Sequence, residues 1–202
     1  MEDAGEIPTI PVHIDSPMAI EATDIYCRHT EEHDFEMAQL SSRERCPISS
    51  RHMVIDRTPE ESKAINNLKG PLIIISASGM ATGGRVLHHL RQRLPDARST
   101  VLLVGYQAVG TRGRALEEGA RAVRIFGEDV PVRAHVETVP RLSAHADADG
   151  LLRWLRTASR PPRRLFVVHG EPEPAAALAR RVVRELGWHV GVPGYRDRAT
   201  IA

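Results

Sequence analysis

The sequence predicts an α/β fold, and three observations carry that prediction. Continuous runs of Leu, Ile and Val at Leu72–Ser76, Thr100–Val104 and Arg164–Val168 have the pattern of buried strands in a parallel sheet. Each run passes through a turn into a segment of helical periodicity, the order of a β–α unit. The composition is that of a folded chain, with 202 residues, 42% hydrophobic and 26% charged. That much chain buries one large core or two small ones and excludes wholesale disorder.

The elements follow in order. Pro11–Ile14 reads as a short strand, and Asp15-Ser16-Pro17 as a turn with proline at a first helical position. A helix is expected from Met18 to about Arg28. Glu31 to Arg57 is polar and poorly periodic and reads as loop, and Glu60 to Leu68 as a short helix stopped by Gly70-Pro71. After the Leu72–Ser76 strand comes a glycine-rich turn and a helix over Val86–Leu94. After Thr100–Val104 comes Gly105-Tyr106-Gln107 and a helix near Thr111–Glu118. Three short β segments fill Val123–Val139, broken at Gly127-Glu128-Asp129 and Pro131. A helix over Ala148–Thr157 carries Leu151, Leu152, Trp154 and Leu155 as its apolar stripe. Pro161-Pro162 ends it. The Arg164–Val168 strand then leads to a helix running to about Leu186.

Charge is unevenly spread. Residues 1–62 hold 14 acidic and 5 basic side chains, whereas residues 63–202 hold 12 acidic and 22 basic. Only Lys63 and Lys69 are lysines; the other basic residues are arginines. The planar guanidinium fork suits bidentate phosphate contacts, and a basic segment suits a polyanion. Solvated helix faces in an arginine-biased composition are the plain alternative. No stretch approaches the roughly 20 apolar residues of a membrane span, and MEDAGEIPTI has no apolar core of a secretory signal. Cys27 and Cys46 cannot make a disulfide framework or a cysteine-rich zinc site, so a reducing, cytoplasmic setting is the expectation.

Three strand-to-helix junctions hold chemistry, where open α/β folds gather ligands. Ser78, Gly79, Thr82, Gly83, Gly84 and Arg85 combine glycines, hydroxyls and a guanidinium, without the spacing of a Walker or dinucleotide loop. Gly110, Thr111, Arg112 and Arg114 repeat the recipe, and two such loops point to a phosphate backbone more firmly than one. The third junction holds His145, near Ser143 and Asp147, and His169, near Glu171. An imidazole at such a place ligates a metal or moves protons. His29-Thr30-Glu31-Glu32-His33 matches H-x-x-E-H, but it lies in the acidic, loop-like stretch and is set aside as chance. His88 and His89 point in different directions on a helix and cannot chelate one ion.

In that order and spacing SASGMATGGRVLHHL, GYQAVGTRGRAL, LSAHAD and VVHGE resemble the C-terminal half of β-CASP metallo-β-lactamase-fold nucleases. That family includes bacterial ribonuclease J and homologues of the cleavage-and-polyadenylation endonuclease. IDSPMAIEATDIY resembles a segment within the β-CASP cassette, so the resemblance runs from about Ile10 to the C-terminus. It implies an N-terminally incomplete β-CASP domain over residues 1–141. Residues 142–202 would then be the returning metallo-β-lactamase segment, the RNA-specificity part. By the same resemblance His145 is the motif B histidine, acting on the scissile phosphate, and His169 the motif C histidine, a ligand of the second of two Zn²⁺ ions. The glycine loops hold RNA phosphates, and Ser143, Asp147 and Glu171 support.

No H-x-H occurs anywhere in the chain, so the main H-x-H-x-D-H metal site is missing and only one zinc ligand is recognisable. The expectation is part of a zinc-dependent ribonuclease, inactive alone. The rival readings are a non-catalytic RNA-binding or assembly module, and half of a split enzyme with a separately encoded N-terminal half. RNA is the expected partner, with a homodimer among the assemblies the family adopts, and no membrane is involved.

Overall fold

A computed structural model of the protein describes residues 2, 4–41, 46, 48–139, 142 and 145–199. The chain divides into two compact units, 1–142 and 143–202. The α/β class expected from the strand–helix alternation is what the structure has.

The first unit opens with β1 (Val12–Ile14) and α1 (Pro17–Arg28). Ser16 caps α1, its hydroxyl accepting from the Ala19 N–H at 3.3 Å, and Pro17 takes the first helical position. A short 3-10 turn (Thr30–Glu32) and α2 (Phe35–Ser41) follow. Next come β2 (Met53–Ile55) and α3 (Pro59–Ile65), the latter started by a capping box between Thr58 and Glu61. Then come β3 (Ile73–Ile75), α4 (Val86–Arg93), β4 (Thr100–Val104) and α5 (Arg112–Glu117). β5 (Ala122–Ile125), β6 (Glu128–Pro131) and β7 (His135–Val139) complete it.

Three strands form a parallel sheet in the order β2-β1-β3, with Val12 opposite Met53 and Ile73. β4 pairs with β7 in parallel, and β5 with β6 as an antiparallel hairpin. Phe126 and Gly127 close that hairpin with φ of 50° and 84°, the paired left-handed conformation of a type I′ turn. The core gathers Leu87, Leu90 and Leu94 from the α4 segment against Leu103, Leu116, Val123 and Ile125. It sits directly beneath the two glycine loops.

Three expectations are corrected. The stretch Glu31–Arg57 contains α2 and β2. Asp34 accepts from the Met37 N–H at 2.8 Å, a capping signal present in the sequence. β2 is three residues long and takes its conformation from pairing with β1. The Leu72–Ser76 and Thr100–Val104 runs are strands, yet Ile73, Ile75, Leu102 and Val104 are about half exposed, so each strand has one apolar face uncovered. Cys27 and Cys46, expected reduced, are joined in a disulfide. α1 ends at Arg28, so His29 and His33 do not share a helix face: His29 bonds Glu31 at 2.8 Å, and His33 donates to the Tyr26 carbonyl at 2.9 Å.

The second unit comprises α6 (Ala148–Leu155), β8 (Leu165–Phe166), α7 (Pro172–Leu186) and β9 (Val190–Gly191). β8 and β9 run parallel, so α7 is their crossover. Arg181 bonds Asp149, and Arg156 bonds Glu185 at 3.1 Å, which ties α6 to α7. Of the expected α6 stripe only Leu152 is fully buried; Leu151 and Trp154 are exposed.

At the C-terminal ends of β1 and β2 lies a buried polar cluster. Asp15 is wholly buried and accepts from Ser62 Oγ at 2.6 Å and Arg85 Nη1 at 2.7 Å, with His89 Nε2 at 2.6 Å. His13 Nδ1 lies 2.9 Å from Asp56 Oδ2. Burial pushes the Asp15 carboxyl up, but the bonds from Ser62, His89 and Arg85 outweigh it and hold the group below its ordinary 3.8. A depressed folded value stabilises the protein at pH above the unfolded value, and that share is lost as pH falls below 3.8 through the folded value. Acid unfolding of the wild type should therefore steepen below pH 3.8, and Asp15→Asn should flatten the curve there. Asp15→Ala should lose about 3–5 kcal/mol in denaturant unfolding at pH 7, because Arg85 is left as an unpaired, largely buried charge.

Candidate nucleic-acid interface

In the first unit the two glycine loops form one structure. The Gly113 N–H donates to the Met80 carbonyl at 3.0 Å. Arg112 Nη1 donates to the carbonyls of Ala81 at 3.2 Å and Thr82 at 3.4 Å, while its Nε donates to the Arg124 carbonyl. A Cβ on Gly113 would lie 1.8 Å from Gln107 Oε1 and 3.1 Å from the Met80 carbonyl oxygen, so only glycine permits this approach. Gln107 is fully buried beneath it.

Between the loops opens a cleft of about 460 Å³. Thr82, Gly110, Thr111 and Arg112 line it, with Ala115 and Val123 as apolar floor and Arg124 from β5 at the side. Thus four of the expected phosphate residues face one space. Ser78 Oγ lies 3.0 Å from Thr82 Oγ1, and Thr111 caps α5 by accepting from the Arg114 N–H at 3.2 Å. Gly79 and Gly83 have ordinary φ, and a Cβ on either would meet nothing within 4 Å, so packing within the described residues gives no reason for glycine there. At Gly84 the reason is internal: φ is 81°, and a Cβ would sit 3.1 Å from the Ala77 carbonyl oxygen.

The arginines depart from expectation. Arg85 is turned inward, with Nη1 on Asp15 at 2.7 Å and the Asp56 carbonyl at 3.0 Å, and Nη2 on the Arg57 carbonyl at 2.8 Å. It braces the first loop against the ends of β1 and β2. Arg114 is paired with Glu118 at 2.7 Å and Glu117 at 3.5 Å. Arg112 lines the cleft while gripping backbone carbonyls. Arg124, which the sequence reading missed, also faces the cleft and pairs with Asp129 at 3.1 Å. Its place on a strand of alternating burial marks it only as outward-facing.

In the second unit His145 is exposed just before α6, and Asp147 caps that helix, its Oδ1 accepting from the Gly150 N–H at 2.6 Å. The Asp147 carboxylate is therefore engaged with the helix end. His169 follows β8, is exposed, and has a left-handed φ of 64°. Such a conformation is strained for a non-glycine residue and gathers at functional turns. Glu171 is the residue before α7. Ser143 lies outside the described residues. Among the described residues no group of three or more His, Cys, Asp or Glu side chains is placed to hold a metal ion. They do not fit a complete zinc site, and His169 is at most one donor to one.

Residues 1–116 match the family model described as the Beta-Casp domain, and residues 129–193 match the Zn-dependent metallo-hydrolase RNA specificity domain. "Ribonuclease TTHA0252" of Thermus thermophilus is 37% identical over 174 residues, covering 86% of this chain and 39% of the relative. "Transcription termination factor FttA" of Pyrococcus abyssi is 31% identical over 205 residues, covering 98% and 32%. An "RNase J-like protein" of Methanocaldococcus jannaschii is 31% identical over 190 residues, covering 94% and 42%. The chain thus spans two-fifths or less of the length of most of these relatives.

The glycines separate architecture from ligand access. Gly113→Ala gains helix propensity worth about 1 kcal/mol at best, but overpacking against Gln107 and the Met80 carbonyl costs about 1–3 kcal/mol. Thermal unfolding should show the clash winning, with a lower Tm. Gly79→Ala should leave stability within about 0.5 kcal/mol of wild type.

Proposed function

Because the chain belongs to the Beta-Casp domain family, we propose that it grips the phosphate backbone of RNA as part of a zinc-dependent RNA hydrolase. The observation that carries this reading is the stitching of two loops into one cleft lined by Thr82, Gly110, Thr111 and Arg112. Backbone groups and the Thr82 hydroxyl on a hydrogen-bonded frame position a phosphate without base selectivity, the Thr111 hydroxyl being already donated to the Ala108 carbonyl at 2.7 Å. Glycines at 79 and 83 leave a bare backbone that a ligand can approach closely. Arg112, which donates to backbone carbonyls, adds positive charge at the cleft, while Arg124 is offset by Asp129 at 3.1 Å.

The chemistry resides in the second unit. His145, exposed before α6, is placed to hold or release a proton at a substrate oxygen, a contribution of about 100- to 10,000-fold. His169 offers one imidazole to a metal whose other ligands come from another polypeptide segment. The bound metal would supply Lewis-acid activation, and the described residues do not fit a site for it by themselves. The uncovered apolar faces at Ile73, Ile75, Leu102 and Val104 favour a further layer of polypeptide, since strands in parallel pairing are covered on both faces. A metallo-β-lactamase half carrying H-x-H-x-D-H is the partner that answers both needs.

Two experiments test the reading. Gly79→Val with Gly83→Val should weaken binding of single-stranded RNA tenfold or more by anisotropy while leaving the Tm unchanged. Undiminished affinity would overturn the part assigned to the bare backbone at 79 and 83.

With the complementary half supplied, His169→Ala should lower zinc content and activity together. His145→Ala should keep the zinc and lose turnover. Zinc analysis and single-turnover cleavage on both variants check this, and a reversed pattern would exchange the roles.

A further inference from the structure

We propose that the segment Arg160–Arg164 of the second unit is a phosphate-backbone contact for single-stranded RNA, separate from the cleft of the first unit. The proposal rests on RNA being the ligand. Affinity for a polyanion comes from cations that replace its condensed counterions, and a guanidinium already neutralised by a carboxylate contributes little. Two of the three loop arginines fail that condition, and the third is held in place by backbone. Arg85 is paired with Asp15 and Arg114 with Glu117 and Glu118, while Arg112 is committed to three carbonyls.

Residues 150–170 reverse the balance, with five arginines and no carboxylate side chain. Arg156 reaches Glu185, but Arg160 and Arg164 are exposed with no ion-pair partner among the described residues. The helix dipole accounts for Arg153 and Arg156, in or beside the last turn of α6. It does not account for Arg160, Arg163 and Arg164, which lie beyond that turn. Pro161 and Pro162 fix two successive φ angles between them, so the segment is stiff before any ligand arrives and less order is lost on binding.

The segment feeds directly into β8, which leads to His169. Five residues in extended form span roughly 16 Å at most, which is the limit on the distance from Arg164 to His169 along the chain, and Arg160 lies four residues further back. An RNA strand engaged at His169 reaches them by running beside β8. Contact there adds affinity without sequence preference, because arginine on phosphate reads charge and not base. An acidic protein is the competing ligand class, but its carboxylates are not held in a regular row that a short stiff segment can follow.

The test uses the full chain and a 20-nucleotide oligouridine, with anisotropy measured from 50 to 300 mM salt. Arg160→Glu with Arg164→Glu should lower affinity at least tenfold at 100 mM. It should also flatten the slope of log K against log salt by about 1.4, two single-strand phosphate contacts at about 0.7 each. Arg180→Glu with Arg198→Glu makes the same change of net charge on the same unit and should have a much smaller effect. Circular dichroism melts confirm that all variants fold, and single-site Gln variants at 160 and 164 replace any that do not. Wild-type chain that binds no RNA would overturn both this proposal and the function it rests on. RNA binding that is unchanged in the 160/164 variant, or equally weakened in the control, would overturn this proposal alone. So would a variant that keeps RNA affinity and loses binding to polyglutamate.

Discussion

The buried carboxylate of Asp15 is the constraint on which the first unit depends. It lies at the C-terminal end of β1, the central strand, where three parallel strands end together. A charge that deep is tolerable only if both oxygens are matched, and Ser62 of α3, His89 of α4 and Arg85 just before α4 match them. Ser76 adds a hydroxyl to the Asp15 carbonyl at 2.9 Å, bringing in the end of β3. The cluster therefore fixes where α3 and α4 sit over the sheet and where the first glycine loop must leave β3. Arg85 transmits the constraint outward, because the same guanidinium also holds the carbonyls of Asp56 and Arg57.

That arrangement changes what the glycine loops can do. Their arginines serve as struts: Arg85 holds the loop down to the sheet, and Arg112 holds it across to the second loop and to β5. The cleft that results presents the Thr82 hydroxyl and the Gly110 backbone on two loops hydrogen-bonded to each other. A ligand grip of this kind selects shape and phosphate spacing, while the long-range attraction for a polyanion must come from charges left unpaired elsewhere. Rigidity at one place and free charge at another is a division of labour that residue types alone do not disclose.

The legibility of the molecule in its sequence follows the same line. Strands with continuous apolar runs and the helices that follow them were readable because each rests on local chemistry, but the turn expected at Gly127-Glu128-Asp129 lies at Phe126-Gly127, with Glu128 and Asp129 already in β6. β2 was not, being a three-residue apolar run inside a polar stretch, and neither was β9, two residues that take their conformation from pairing with β8. The bare faces of β3 and β4 were misread as buried because an apolar run records what a strand is suited to pack against, not whether that layer lies in the same chain. At the site, the junctions and both histidines were legible as residue types at strand ends. The inward turn of Arg85 was not, because it depends on Asp15, seventy positions away in sequence. Nor was Arg124, which reaches the cleft only through the hairpin.

The bare faces and the histidines at the ends of the second unit's strand and helix bear on the proposed function together, since among the described residues no group of three metal donors is assembled. Apolar faces at Ile73, Ile75, Leu102 and Val104 raise the free energy of the chain in water at roughly 25 cal/mol per Å² of exposed apolar surface. Covering them would release that energy to drive association, and the same event would bring in the carboxylates and imidazoles that a two-metal centre requires. Under the proposed function, assembly and metal loading would then be one thermodynamic step. Zinc affinity measured on the assembled protein would contain the burial of those four side chains as well as the metal–ligand bonds, so substitutions on the sheet faces, remote from any ligand, would register as weaker metal binding.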